Sequence, residues 1–367
     1  METRSPSTTS PSTKLSPPAT PSPLAAWTVP SAGAAATLSV SSVSFVSPDE
    51  GWVLGTVACN QAPACLALLH TADGGRTWAG INPPPTGFRQ AGLADGVSQV
   101  RFANSDDGWA FGPGLWSTRD GGSTWSRVTL PGVPADAVVW SLETSGGEVV
   151  AVVLDPIGYA VKIETSAVGS AVWHLSRTSI PAGAGPLPQT QLVLQGSSGW
   201  VLLDNRTVIG GARLVNGHWT PWQPPCLDAN GPAYIAASTA EDMYAVCDEG
   251  EWGPPMPPEP RAFASTNGGA SFEPLSRTPA TITGWALATP IPSVMVVNSN
   301  AGLLATFDGG QTWRGVYPAP ADTGVEYVGF ETESQGVAIS LNDSGSSPVG
   351  ALLMTSDGGR QWQLVRL

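Results

Sequence analysis

A short motif that ends in an aromatic residue recurs along the chain and limits the folds open to it. It reads TADGGRTW, TRDGGSTW, TNGGASF (shorter by one residue), TFDGGQTW and TSDGGRQW, beginning at Thr71, Thr118, Thr266, Thr306 and Thr355. A catalytic motif is needed once per active site, whereas a motif that returns at a regular interval is typical of a repeated structural unit. The octamer therefore indicates a repeat architecture.

The aromatic residue that closes each octamer measures the period of the repeat. Two degenerate copies fill the long central gap, so the marks are Trp78, Trp125, Trp173, Trp219, Phe272, Trp313 and Trp362, spaced 47, 48, 46, 53, 41 and 49 residues apart. Upstream of each mark lie a β-like stretch, a polar turn and a Gly followed by an apolar residue, as in VSFVSPDEGWVLG. Four short strands (A to D) in each such period are typical of a propeller blade. We predict an all-β fold, a seven-bladed β-propeller with four-stranded antiparallel blades, over residues 26–367.

Residues 1–25 differ in kind from the rest of the chain. Seventeen of the first 23 residues are Ser, Thr or Pro, a composition that cannot bury apolar surface and predicts a disordered tether. The segment lacks the apolar core of a signal peptide. Such stalks often join an exported domain to an anchor, which we expect upstream of Met1, and a solvated tail on a cytosolic protein is the alternative. The expected location is extracytoplasmic, either secreted or tethered to the cell surface.

Charge and composition exclude several classes of partner. Charged residues make up 12% of the chain and the net charge is −13, which disfavours nucleic acids and anionic membrane surfaces because both require basic patches. No run of 18 apolar residues is present, so we expect no membrane span. The three histidines lie far apart, and no phosphate-binding loop occurs. We therefore expect no metal and no cofactor, and a monomer.

The full octamers resemble the Asp-box, or bacterial neuraminidase repeat. Its aspartate accepts backbone N–H bonds within a tight turn, its paired glycines supply positive φ, and its aromatic ring packs on the blade. In the copy TNGGASF, Asn267 stands at the aspartate position and provides the same hydrogen-bond acceptor without a negative charge. We interpret these residues as structural and assign no catalytic residue: Asp73, Trp78, Asp120, Trp125, Asn267, Phe272, Asp308, Trp313, Asp357 and Trp362.

The resemblance indicates a fold more than a function, because Asp-boxes occur in sialidases, some glucan hydrolases, sortilin-type receptors and photosystem II assembly factors. Likeness to sialidases implies an arginine triad and a Tyr–Glu nucleophile, yet no arginine lies between Arg4 and Arg76. Tyr327 with Glu326 or Glu331 is the nearest candidate pair, but adjacent strand residues point to opposite faces. Other carboxylates occupy A–B turns, where polar residues are expected: Asp106, Asp107, Glu241, Asp242, Glu331 and Glu333. A sialidase-like or other glycoside hydrolase is kept as the alternative function.

The photosystem II assembly factors offer the nearest overall resemblance, with a period near 48, strands that begin Gly-Trp, and DGGxTW turns. That resemblance implies a non-catalytic binding or scaffold propeller. The photosynthetic partner is not carried over, because the 16 Lys and Arg residues are scattered and cannot build the basic patch associated with that family. We expect a protein or glycan ligand on the rim opposite the octamers.

Four cysteines allow three pairings. We predict Cys59–Cys65 and Cys226–Cys247, because B–C loops and D–A connections emerge on the same rim and each pair can meet there. Both bonds would imply an oxidising compartment.

The segment Asp248–Arg261 (DEGEWGPPMPPEPR) is predicted to be the longest B–C loop and a contact for the partner. Its five prolines pre-order it, which lowers the entropy lost on binding, and Trp252 is a typical interface anchor. A basic or cation-bearing partner is favoured by the acidic residues of this segment, which are Asp248, Glu249, Glu251 and Glu259. The alternative is that Trp252 caps the fifth blade.

Overall fold

The computed structural model describes residues 38–59, 64–89, 96–182, 188–227, 231–249, 259–319, 323–342 and 349–367. These residues form seven antiparallel sheets of four strands, each from one contiguous segment, and they contain no helix. The predicted seven-bladed β-propeller is confirmed. The expected tether (1–25) lies outside the described residues.

The four strands of each blade follow one another from the centre of the ring outwards. The A strands are β1 Ser39–Phe45, β5 Gln99–Phe102, β9 Val138–Ser145, β13 Gln189–Gln195, β17 Ala233–Ala237, β21 Ile282–Ala288 and β25 Thr323–Phe330. The B strands are β2 Gly51–Val57, β6 Asp107–Phe111, β10 Glu148–Asp155, β14 Ser198–Asp204, β18 Met243–Glu249, β22 Met295–Ser299 and β26 Gly336–Asn342. The C strands are β3 Cys65–Thr71, β7 Leu115–Arg119, β11 Ala160–Ala167, β15 Val208–Val215, β19 Glu259–Ser265, β23 Gly302–Thr306 and β27 Val349–Thr355. The D strands are β4 Ala79–Ile81, β8 Ser126–Arg127, β12 His174–Pro181, β16 His218–Trp222, β20 Glu273–Pro274, β24 Arg314–Pro318 and β28 Gln363–Val365.

Each octamer joins a C strand to a D strand, as the repeat predicts. Because the strands alternate in direction, A–B and C–D turns share one side of the ring, which we call the octamer rim, and B–C and D–A connections share the other, the opposite rim. The two rims thus carry different sequence: repeated turns on one, variable connections on the other.

The core is divided among the interfaces between blades. Among the described residues, seven clusters of buried side chains occur, and each combines residues of two neighbouring blades. The aromatic residue that closes each octamer packs in the cluster shared with the preceding blade, as Trp125 does with blade one and Trp362 with blade six. The repeated aromatic therefore joins blades, and stability is spread over interfaces as in other repeat proteins.

A tryptophan near the start of strand B makes the reciprocal link to the following blade. Trp52 is fully buried, its ring stacks on Phe102 with centroids 3.7 Å apart, and its Nε1 donates to the Gly121 carbonyl in the next octamer at 3.1 Å. Trp200 donates to Gly268 of the fifth octamer in the same way, at 3.0 Å. Octamers are thus hydrogen-bond acceptors for the preceding blade as well as turns.

Within the octamer, the aspartate organises the turn through one carboxylate. Asp308 accepts the N–H of Thr312 at 2.9 Å, the Thr312 hydroxyl at 2.6 Å and the Thr306 hydroxyl at 2.8 Å. These bonds, led by the one from the Thr312 hydroxyl, lower the pKa of Asp308 to about 2. Gly309 (φ 70°) and Gly310 (φ 89°) adopt the left-handed backbone that favours glycine. One bond leaves the turn: the Gly309 N–H donates to a carbonyl in the A–B turn of the same blade at 3.0 Å. The other bonds are local, which is why the sequence alone reveals the turn.

The fifth octamer is complete in the structure, which corrects its expected start at Thr266. Ser265 takes the place of the leading threonine: its hydroxyl bonds Asn267 Oδ1 at 2.9 Å and accepts the Gly269 N–H at 2.9 Å. Asn267 Oδ1 accepts the Ser271 N–H at 3.0 Å and its Nδ2 donates to the Ser271 hydroxyl at 2.8 Å. Serine and asparagine therefore reproduce the Thr–Asp turn without a charge.

The ring closes through packing between blade seven and blade one. Strand β1 lies against β26 and β27, the Gly350 N–H donates to the Ser39 hydroxyl at 3.0 Å, and Gln335 Nε2 donates to the Pro48 carbonyl at 2.9 Å. Strand D of blade seven is β28, from the C-terminal end of the chain. In the part of the chain that the structure describes, no strand is exchanged between the two blades.

We expect Asp308→Asn to destabilise the protein less than Asp308→Ala. Asparagine keeps the acceptor for the Thr312 N–H, as Asn267 does in blade five, whereas alanine leaves the turn's donors without a partner. Thermal unfolding followed by circular dichroism checks the order: Asp308→Ala should lower the midpoint by several degrees and Asp308→Asn by less. Equal midpoints for both variants and the unchanged protein would show that the carboxylate does not organise the turn.

Candidate functional site

Two disulfides lie on the opposite rim. Cys59 bonds Cys65 and Cys226 bonds Cys247, with Cα atoms 5.7 Å apart in each pair, as the sequence predicts. The second bond ties the connection between blades four and five to strand β18. Recognition loops on this rim therefore have a rigid base.

Removing the Cys226–Cys247 bond (Cys226→Ser with Cys247→Ser) should lower the free energy of unfolding by about 3 kcal/mol, and removing Cys59–Cys65 by about 2 kcal/mol, because a longer closed loop restricts the unfolded chain more. Urea denaturation of both double variants checks the order. Non-reducing peptide mapping of the native protein should find no free thiol; four free thiols would contradict both bonds.

The predicted partner loop of blade five is shorter than expected. Strand β18 continues to Glu249 and β19 begins at Glu259, so the B–C connection is residues 250–258, outside the described residues together with Trp252 and Glu251. Asp248 pairs with Pro260 across the sheet, its side chain is 5% exposed, and burial raises its pKa to about 6. Asp248 is thus an interior residue of the blade and does not present a carboxylate at the rim. Of the Glu249 side chain nothing is described.

The central channel is shaped by irregularities in four A strands. An extra residue interrupts the pairing at Ser41 in β1, Trp140 in β9 and Glu326 in β25. In β21 the pairing jumps from Ile282–Ser299 to Leu287–Val297, which adds three residues to the inner strand. Bulges of this kind re-aim side chains and are frequent beside functional sites.

A cavity of about 580 Å³ opens between blades one, two and seven towards the opposite rim, and we call it the upper cavity. Its lining includes Arg89, Gln99, Arg101, Glu326 and Tyr327. The Arg89 guanidinium lies 4.8 Å from the centre of the Trp140 ring, and Trp140 Nε1 donates to the Pro188 carbonyl. The lining of the upper cavity therefore combines guanidinium groups, an amide, a carboxylate and aromatic surface, a set suited to a polar ligand with some apolar area.

Glu326 and Tyr327 line the same cavity although they are adjacent in a strand. The alternation rule predicts opposite faces, but Val325 pairs with Ser340 and Tyr327 with Ile339, so Glu326 is the extra residue of a bulge. A bulge breaks the two-residue period. The sequence-based expectation for this pair is therefore wrong.

Arg101 lies where the upper cavity meets a second cavity on the octamer side. Its Nη2 is 2.7 Å from Glu143 Oε1, the phenol of Tyr327 lies beside the guanidinium, and its buried Nε has no partner among the described residues. Burial raises the pKa of Glu143 and the ion pair opposes that rise. Desolvation raises the pKa of Glu331 to about 7, with Arg101 acting against the rise.

The three extra residues of β21 present an exposed tryptophan. Trp285 is 55% exposed, and since it belongs to an innermost strand it faces the channel. Gly284 (φ 75°) packs against Tyr234, and Asn298 Oδ1 accepts the Ala286 N–H at 3.1 Å, so the excursion is held in place. The sequence analysis did not identify Trp140 and Trp285 as channel residues. Neither tryptophan occupies an octamer or a strand B position, and this could have indicated a role outside the blade core.

No group of three or more potential metal ligands occurs in the described ranges. Among those same residues, no helix is long and apolar enough to cross a membrane.

Residues 25–159 match the sequence model of a family described as photosynthesis system II assembly factor YCF48. The match spans blades one and two and strands A and B of blade three, less than half of the chain. A comparison with curated proteins finds no match. The protein thus resembles this family over its first blades.

Solved structures share the fold at low identity. A structure described as YCF48 bound to D1 peptide has a TM-score of 0.59 and 19% identity, covering 88% of this chain and 94% of that one. YCF48 from Cyanidioschyzon merolae has a TM-score of 0.58 and 17% identity, covering 88% and 96%. The β-propeller domain of the trilobed protease from Pyrococcus furiosus has a TM-score of 0.54 and 8% identity, covering 90% and 98%. At these identities the likeness shows the fold alone.

Proposed function

We propose that the protein is a non-catalytic binding propeller that holds a segment of a partner protein at the upper cavity, in an assembly or scaffold role. The observation that carries the proposal is the upper cavity itself, where Arg89 and Gln99 lie beside aromatic surface and Arg101 borders the inner end. Most of this lining lies within the residues that match the assembly-factor family. One protein of similar fold is described as bound to a peptide, which supports a peptide as the ligand class.

The setting that we propose is extracytoplasmic. Two disulfides are typical of an oxidising compartment, and the Ser/Thr/Pro-rich start of the chain suits a tether.

We also propose that residues 250–258, on the opposite rim, contact the partner, which is a protein or a glycan. The propeller is proposed to act as a monomer. Replacing residues 251–259 by a Gly/Ser linker should weaken partner binding without a loss of several kcal/mol in stability.

Glycoside hydrolysis is the second candidate, favoured by one observation. Glu143, Glu331, Tyr327 and Arg101 line a single cavity, and paired carboxylates are what a glycosidase requires. Against it, Glu143 is already neutralised by Arg101 at 2.7 Å, so that arginine is not left for a substrate carboxylate. The arrangement supports binding better than catalysis.

A peptide-display selection on the purified protein tests the proposal. Selected peptides should bind with at least about tenfold lower affinity to Arg89→Ala, which loses a charged donor, and within about twofold of the unchanged protein to Arg76→Ala on the octamer rim. Enrichment of no peptide, or equal loss in both variants, would refute a site at the upper cavity.

In parallel, the protein should release no sialic acid from a fluorogenic sialoside and no sugar from a panel of fluorogenic glycosides. Hydrolysis that is abolished by Tyr327→Phe would establish the second candidate instead.

A further inference from the structure

Blade four is lower than blade five on the octamer rim. Its A–B turn has two residues, between the paired residues Gln195 and Ser198. Its C–D turn also has two, between Val215 and His218, and turns of this length keep the chain close to the strand ends. In blade five the A–B turn covers residues 238–242, and the complete octamer joins the C and D strands. A step therefore separates the two blades on this rim.

The step opens a cleft of about 680 Å³ between blades four and five, which we call the rim cleft. Blade four contributes Ser198 and Arg213 to its lining, and blade five contributes Glu241 and Thr266. The wall of blade five is braced, because the Gly268 N–H of the octamer donates to the Glu241 carbonyl of the A–B turn at 2.8 Å. The rim cleft shares no lining residue with the upper cavity.

The guanidinium of Arg213 is fixed at one nitrogen and open at the others. Arg213 pairs across the sheet with Trp200, and both side chains donate to the Gly268 carbonyl, Arg213 Nη1 at 2.8 Å and Trp200 Nε1 at 3.0 Å. Within the described residues Nε and Nη2 of Arg213 make no hydrogen bond. Neither atom is among the buried polar atoms that lack a partner, so both keep accessible surface. The edge formed by Nε and Nη2 can therefore be reached from the cleft.

Arg213 also lacks the counter-ion that comparable cations have. Three basic side chains are half-buried in the part of the chain that the structure describes: Arg101, Lys162 and Arg213. Arg101 pairs with Glu143 at 2.7 Å. Lys162 pairs with Asp155 at 2.9 Å, whereas Arg213 forms no ion pair with a described carboxylate. Because a partly desolvated cation without a counter-charge is unfavourable, this position indicates an anion from outside the chain.

The lining favours a carboxylate over other anions. Glu241, exposed in the same cleft, balances the charge of Arg213, so one negative charge is better accepted than the nearly double charge of a phosphate group. A carboxylate also matches the two parallel N–H donors of a guanidinium edge. Trp200, the aromatic residue of the lining, is 1% exposed and presents no face on which a sugar ring could stack, which disfavours an acidic sugar.

We propose that the rim cleft binds a carboxylate group of a partner peptide, which accepts hydrogen bonds from Nε and Nη2 of Arg213. The cleft extends from the A–B turn to the C–D turn of blade four, two strand spacings or roughly 10 Å, which suits about three residues of an extended peptide. The carboxylate comes from a Glu or Asp side chain or from a chain terminus. This site is separate from the upper cavity and does not depend on the function proposed for it.

Nuclear magnetic resonance of the ¹⁵N-labelled full chain tests the proposal through the Nε–H signal of Arg213, which Arg213→Lys identifies by its disappearance. The probes are acetyl-Gly-Glu-Gly-amide, with a side-chain carboxylate, and acetyl-Gly-Gly-Gly, with a terminal one. At least one should shift the signal saturably, and the tighter of the two identifies the source of the carboxylate. The neutral acetyl-Gly-Gln-Gly-amide should not shift it. A saturable shift with neither carboxylate peptide, or tighter binding of inorganic phosphate or glucuronate, would overturn the proposal.

Three variants test the roles of the charged residues, with the Trp200 Nε1–H signal as the measure of binding and of an intact fold. Arg213→Gln should weaken binding of the carboxylate peptide by about tenfold or more, the loss expected for a charged hydrogen bond. Arg213→Lys should weaken it by less, because lysine keeps the charge without the planar fork. Glu241→Gln should tighten binding by about twofold, since it removes a like charge at an exposed position.

Arg206→Gln is the matched control, because Arg206 is an exposed arginine on the B–C turn of the same blade, on the opposite rim. It should bind within about twofold of the unchanged protein, consistent with a surface substitution. Equal loss in Arg213→Gln and Arg206→Gln would reduce the effect to overall charge and overturn the proposal, as would unchanged binding in a folded Arg213→Gln. Arg89→Ala should leave this binding unchanged, so failure of the upper cavity and failure of the rim cleft are recognised separately.

Discussion

Replacing Trp52 by alanine should lower the free energy of unfolding by about 4 kcal/mol, the usual loss for a large aromatic residue of a protein core. The indole is fully buried and stacks on Phe102 at 3.7 Å between ring centres, across the interface of blades one and two. Its loss would leave a cavity there and would deprive the Gly121 carbonyl of its donor. The effect is large because a single side chain serves the blade core, the interface and the next octamer.

Trp285→Ala is the matched control for this prediction. The same chemical change at a side chain that is 55% exposed should alter stability by less than about 0.5 kcal/mol. Urea denaturation followed by far-ultraviolet circular dichroism, with both disulfides intact, measures the two variants. Similar losses for Trp52→Ala and Trp285→Ala would mean that the interfaces between blades do not determine stability.

The protein should be more stable near pH 5 than near pH 8, which is the reverse of the behaviour of proteins whose carboxylates are paired. Burial raises the pKa of Glu164 from an ordinary 4.5 to about 7, that of Asp204 from 3.8 to about 7 and that of Asp248 from 3.8 to about 6. Between the unfolded and folded pKa values the folded protein binds more protons than the unfolded chain. Stability therefore falls as the pH rises through this interval and levels off above pH 7.

Glu164 should make a large contribution to this pH dependence of stability. It is 0% exposed and neither carboxylate oxygen has a partner in the described residues, so its ionisation at pH 8 should cost about 3 kcal/mol. Asp204 and Asp248 both lie near Tyr234 and should titrate with mutual influence, so their contributions are not additive.

Denaturation curves of the unchanged protein and of Glu164→Gln at pH 5 and pH 8 check this account. Glu164→Gln should be the more stable protein at pH 8, and its loss of stability between the two pH values should be smaller by about 3 kcal/mol. Glu273→Gln, at an exposed position of strand β20, should behave like the unchanged protein. Stability that increases from pH 5 to pH 8 in all three proteins would contradict the burial of ionised groups.

At lower pH a second group of carboxylates acts in the opposite direction. Hydrogen bonds, first of all from the Thr312 hydroxyl, lower the pKa of Asp308 to about 2, and those from Thr124 lower the pKa of Asp120. Their contribution is present above an unfolded pKa of 3.8 and is lost as the pH falls towards the folded value. Maximum stability is therefore expected between about pH 4 and pH 6, bounded by the octamer turns on one side and the buried carboxylates on the other.

The seven blades and the octamer turns could be predicted from the sequence because the interactions that form them are local. Within one octamer, Asp308 bonds residues no more than four positions away, so eight consecutive residues contain all the bonds of the aspartate. The remaining bond, from the Gly309 N–H, reaches only the A–B turn of the same blade. The period between aromatic residues then counts the blades without any knowledge of their arrangement. The disulfide pairs could also be predicted from the sequence, since strand order alone places B–C and D–A connections on one rim.

The channel depended on contacts between residues far apart in sequence, and only the tertiary structure decided it. Arg101 meets Tyr327 from blade seven because the ring closes. The bulge at Glu326 lets two neighbouring side chains line the same cavity, although a regular strand would place them on opposite faces. Asp248 looked like part of an acidic loop, but pairing with Pro260 extends the strand and buries the carboxylate. Repetition is encoded locally in this chain, whereas the lining of its channel is set by where seven separate inner strands meet.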